Sequence, residues 1–110
     1  MSKPLHLWLN AVADADWEDD MLHHQRRNYA SMVTVAYWIT RITRGGWTLT
    51  ASFTTIADRS GLTRKTVANQ IFGLEVAKFL IETGTRRSGI EGGSRVRTFD
   101  LMIPDVPTRP

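Results

Sequence analysis

SFTTIADRSGLTRKTVANQIFGLE, residues 52–75, decides the fold, because two helical periodicities meet here at a short turn holding Gly61. Each helix is opened by a hydroxyl residue. Ser52 can accept a hydrogen bond from a backbone N–H two or three residues on, a cap worth about 1 kcal/mol, and Thr63 can do the same for the second helix. Phe53, Ile56 and Ala57 supply the buried side of the first helix, Ser60 and Gly61 end it, and Leu62 packs inward at the turn. Val67, Ile71 and Leu74 form one stripe on the second. At about 100° per residue, Lys65 and Asn69 then point away from the core, with Arg64 and Thr66 at the flanks. Ala57 is small enough to let the helices approach, Gly61 accepts a positive φ, and β-branched Val67 locks one helix on the other.

Working outward, FLIETGTRR (79–87) and SRVRTFDLMI (94–103) read as strands around SGIEGG (88–93), a glycine-rich tip suited to a hairpin. Upstream, Trp47 to Thr50 alternates like a short strand. Leu5, Trp8, Leu9 and Val12 recur at helical spacing and predict a first helix ending near Ala13. Asp14 or Asp16 can cap a second helix, with Glu18, Asp19 and Asp20 in a first turn where the helix dipole favours negative charge. Its apolar positions, Leu22, Tyr29, Met32, Val33, Ala36, Tyr37 and Ile39, carry it to about Thr43, before Gly45 and Gly46. The tail PDVPTRP has three prolines and is expected to be flexible.

The motif resembles the helix-turn-helix of winged-helix DNA-binding proteins, with Ala57, Gly61 and Val67 standing for the small, turn and buried β-branched residues. The likeness covers about residues 47 to 103. It is similar to bacterial regulators of the GntR and MarR kind, and to the helix-turn-helix domains of plasmid and phage replication initiators. The expected fold is therefore α+β, mostly α: a winged helix-turn-helix core over 47–103, an N-terminal helical extension over 1–46 for packing or dimerisation, and a flexible tail over 104–110. All three belong to one domain. A chain of 110 residues with 42% apolar content suffices for one core, burying roughly 65% of the unfolded surface.

The resemblance implies a second helix that reads duplex DNA, and its outward residues have the chemistry for it. Asn69 suits adenine, Arg64 and Lys65 reach guanine or phosphate, and Thr66 suits a phosphate or a thymine methyl. Thr63 can add a phosphate contact beside the free N–H groups of the helix start. Two features depart from the pattern. Where GntR-like sequences often carry a base-reading arginine after the buried valine, this chain has Ala68. Phe72 falls nearer the exposed face, and is expected either to pack on the N-terminal helices or to mark a partner surface. In the hairpin, Arg86 and Arg87 precede the tip while Arg95 and Arg97 follow it, and wings of this kind, by resemblance, track the phosphate backbone.

Charge supports the same region. Residues 1–40 hold three Lys/Arg against five Asp/Glu (3 − 5 = −2), whereas residues 41–97 hold ten against four (10 − 4 = +6). A polyanionic partner is favoured there. With no cysteine, neither disulfides nor a thiolate metal site are available. His23 and His24 are adjacent and diverge on a helix, and His6 stands apart, so no metal is expected. The acidic run from Asp14 to Asp20 lacks the glycine and terminal glutamate of a calcium loop. No nucleophile motif or phosphate-binding glycine loop is present. The expectations are no enzyme, no cofactor, no small-molecule ligand and no membrane span, in a cytoplasmic, nucleoid-associated protein. Its partner would be double-stranded DNA, in transcription regulation or in the replication or partition of a plasmid or phage. The aromatic N-terminus, with Trp8, Trp17, Tyr29, Tyr37 and Trp38, offers a homodimer surface in addition to core packing. The alternative from another class is a winged-helix protein-interaction module that uses Phe72 and those aromatics.

Overall fold

The computed structural model describes residues 4–15, 29–43, 46–87 and 95–105, with strand positions 85–87 and 95 described by their backbone alone. The elements run α1 (Leu5–Asp14), α2 (Tyr29–Ile42), β1 (Thr48–Ala51), α3 (Phe53–Ser60), α4 (Arg64–Val76), β2 (Leu80–Arg87) and β3 (Arg95–Leu101). Among the described residues this is a mostly helical α+β fold with one antiparallel sheet ordered β1-β3-β2, so the last strand is the central one.

Local chemistry explains most of the boundaries. Asp14 is the last residue of α1 rather than a cap beyond it, with Ala15 closing that helix on the Ala11 carbonyl at 3.1 Å. Asp16, Glu18, Asp19, Asp20 and Leu22 lie outside the described residues, as do the 88–93 tip and residues 106–110. The first strand starts one residue later than its pattern indicates. Its register with β3 pairs Thr48 with Asp100 and Ala51 with Arg97. Likewise β3 stops at Leu101, where the pairing of both neighbouring strands ends and the Leu101 N–H donates to the Trp47 carbonyl at 2.8 Å. Met102 and Ile103, read as strand, lie beyond it and are exposed.

The end of α4 was not legible as a turn, since it carries no glycine. Phe79 N–H donates to the Leu74 carbonyl at 2.8 Å and Lys78 N–H to the Glu75 carbonyl at 3.0 Å, the two bonds of a Schellman motif. Lys78 occupies the left-handed position of that motif, with φ 71°. A lysine accepts the steric cost there because Phe79 and Leu74 on either side are fully buried.

One core runs through all seven elements, from Trp8 and Val12 of α1 to Phe99 and Leu101 of β3. The N-terminal helices are thus part of it. The Trp8 indole N–H donates to the Phe79 carbonyl at 3.1 Å, and the same oxygen accepts the Met102 N–H at 2.9 Å. One carbonyl therefore ties α1 and the end of β3 to the joint between α4 and β2. The Tyr29 hydroxyl donates to the Ala13 carbonyl at 2.8 Å, linking the start of α2 to the end of α1.

Candidate nucleic-acid interface

The α3–turn–α4 unit is built from three local devices. Ser52 Oγ accepts the Thr55 N–H at 3.2 Å, Gly61 closes α3 in the left-handed conformation at φ 76°, and Thr63 Oγ1 accepts the Thr66 N–H at 3.1 Å. The Gly61 N–H returns to the Ala57 carbonyl at 3.0 Å. Thr63 also donates its hydroxyl proton to Thr66 Oγ1 at 2.9 Å, so both hydroxyls, each expected to reach DNA, are first engaged with one another. The helical ladder begins with Val67 N–H on the Thr63 carbonyl at 3.0 Å. Arg64 and Lys65 thus present the first N–H groups of α4, where helix N-termini meet anions.

Around α4, Val67, Ile71 and Leu74 are fully buried, while Arg64 and Lys65 are exposed and Asn69 is half-buried. Lys65, Ala68, Asn69 and Phe72 stand at i, i+3, i+4 and i+7, which makes them one outward stripe. Phe72 is 48% exposed in that stripe, nearer the exposed face as its place on the wheel indicates. Its inward counterpart is Gln70, only 2% exposed, whose Oε1 has no hydrogen-bond partner among the described residues. Gln70 carries no side-chain signal in the sequence that marks it as buried. Its spacing of three from Val67 and four from Leu74 places it inside, but its amide argues for outside.

The hairpin distributes its arginines unequally. Backbone register sets Arg87 directly opposite Arg95, Arg86 opposite Val96, and Thr85 opposite Arg97. Arg97 is turned to the body of the domain. Its Nη2 donates to both carboxylate oxygens of Glu75 at 3.2 Å, and its Nε donates to Glu82 Oε2 at 2.5 Å. The guanidinium lies over the Phe99 ring at 4.7 Å and near the Phe53 ring at 5.4 Å. Burial pushes the Glu75 carboxyl above its ordinary value against the pull of Arg97, and the bond to Glu82 raises Arg97 further. Arg97, expected among the outward cations of the wing, thus joins the end of α4 to the base of the hairpin. A register shift between Glu82 and Gly84 lies at the same level, and such a bulge sharpens the twist of the strand beyond it. Neither glutamate was singled out from sequence, because they stand 22 and 15 residues from Arg97.

Of the N-terminal aromatics, Trp8 is core, Tyr37 is 43% exposed and meets Trp38 edge-on at 5.5 Å, and Trp17 lies outside the described residues. Among the described residues no helix is long and apolar enough to cross a membrane, and no group of three or more His, Asp or Glu is placed to hold a metal ion. Compared with known proteins, the chain matches no family model, no curated protein and no solved structure.

Proposed function

We propose that the chain is a winged helix-turn-helix protein that binds double-stranded DNA, as a transcription regulator or as the origin-binding module of a replication or partition system. The observation that carries this reading is an outward cationic helix start on the same small domain as a hairpin whose strands hold arginines at positions 86, 87 and 95. Arg64 and Lys65 open α4, and the register of β2 with β3 sets Arg87 against Arg95. Like charges directly opposite one another destabilise a strand pair, and a phosphate between them removes that cost. In this reading α4 lies in the major groove with Lys65 and Asn69 toward the bases, and Arg86, Arg87 and Arg95 hold phosphates. Arg97 sets the angle between helix and wing.

Duplex binding by about five cations, Arg64, Lys65, Arg86, Arg87 and Arg95, falls roughly several hundredfold between 50 and 200 mM salt, which fluorescence anisotropy on a labelled duplex measures. Lys65→Ala with Asn69→Ala removes sequence preference, each bidentate contact being worth about 1–3 kcal/mol of discrimination. Failure to retain any duplex at low salt overturns the proposal. It would favour a second reading, protein interaction through the outward stripe that ends in half-exposed Phe72.

A further inference from the structure

We propose that the cleft between the last turn of α2 and the outer face of α3 is a binding site for a single nucleotide unit, a flat ring joined to a phosphate. The cleft measures about 270 Å³ and is lined by Trp38, Arg41 and Ile42 of α2 and by Thr55 and Arg59 of α3. Water-sized volumes of about 30 Å³ each put its capacity at roughly nine waters, near the lower end of small-molecule pockets. That is room for one ring and one phosphate.

The lining selects the ligand by exclusion at both ends. Arg41 and Arg59 stand in the last turns of their helices, both are exposed, and among the described residues neither forms an ion pair. Among the described residues no carboxylate lines the cleft, and Asp58, the nearest in sequence, is about 100° around α3 from Arg59. Two guanidiniums without an ion-pair partner among the described residues line one small cleft, and a phosphate can accept from both. An apolar ligand would make no use of them. Beside Arg41 on the same face of α2 stand the half-buried indole of Trp38 and Ile42, a surface on which a base or other planar ring stacks. Inorganic phosphate would leave that surface in water. The Thr55 hydroxyl, already 3.1 Å from Ser52 Oγ, is held in place by the cap of α3. The site uses none of the residues assigned to the duplex interface, so it stands or falls apart from that proposal. The nucleotide unit has two sources, a free mononucleotide or an unstacked nucleotide of a single strand.

Titration of the full chain with dAMP, followed at the indole N–H resonances, tests the site. Trp38 is assigned by its loss in Trp38→Phe, and the buried Trp8 indole serves as the reporter of an intact fold. A saturable shift of Trp38 is expected, with deoxyadenosine and inorganic phosphate each at least about tenfold weaker. Arg41→Gln and Arg59→Gln should each weaken dAMP about tenfold, the loss of one charge-assisted bond, with Trp8 unmoved. A single-stranded oligo-dA that shifts Trp38 at lower concentration than dAMP identifies the strand as the source, and the reverse order identifies the free nucleotide. No saturable Trp38 shift with either probe, or the same affinity in the Arg41→Gln, Arg59→Gln double variant, overturns the proposal.

Discussion

The base and the outer end of the hairpin carry the same residue type in different settings. At the base, Arg97 is shared by Glu75 and Glu82 and covered by two phenylalanine rings. Further out, the register places Arg87 against Arg95. The first arrangement is complete within the fold, while the second sets two like charges at facing strand positions, which the proposed function fills with a phosphate. Counting arginines therefore overstates the cations available to a ligand, and strand register with long-range partners corrects the count.

The largest expected effect separates the two ends by binding. Arg87→Ala with Arg95→Ala should weaken duplex DNA of any sequence roughly 100-fold and lower the salt slope by about two, while stability stays within about 0.5 kcal/mol. Unchanged affinity would break the distinction at the outer end. The next largest tests the base. Arg97→Met leaves two carboxylates together beside Phe53 and Phe99 and should cost about 2 kcal/mol in urea unfolding, between the values for exposed and buried pairs. A loss under about 0.5 kcal/mol would make the base as dispensable as the outer end.

The joint that feeds the hairpin sharpens the comparison. Lys78→Gly removes the left-handed strain at φ 71° and should raise stability by about 1 kcal/mol, whereas Gly61→Ala, at φ 76°, should lower it by a similar amount. Thermal midpoints of the two variants should move in opposite directions. The smallest effect is one of pH. Because the folded Glu75 carboxyl titrates above its ordinary value near 4.5, the folded state holds that proton more tightly than the unfolded chain. Its contribution is full below about pH 4.5 and is lost as pH rises through the raised value. Glu75→Gln should remove that decline, and a pH–stability slope equal to that of the unaltered chain would show that the desolvation of Glu75 is not felt.

Much of this protein was legible one turn at a time. Ser52 and Thr63 cap their helices because a hydroxyl bonds a backbone N–H three residues on, within reach of any chain that starts a helix there. Gly61 ends α3 because a left-handed φ is cheapest without a Cβ. The stripe of Val67, Ile71 and Leu74 follows from 3.6 residues per turn. Sequence by itself thus determined the two helices on either side of Gly61, the two later strands and the region of positive charge. Tertiary structure alone decided what those elements do with their polar groups. Gln70 is buried because its position on the wheel faces the core, against the preference of its amide. The Trp8 indole meets the Phe79 carbonyl 71 residues away, and Arg97 meets Glu75 rather than solvent. Periodicity and capping act through neighbouring backbone, so they leave a mark in short stretches. An ion pair or a buried hydrogen bond forms between segments that only the packed core brings together, and no short stretch carries its signature.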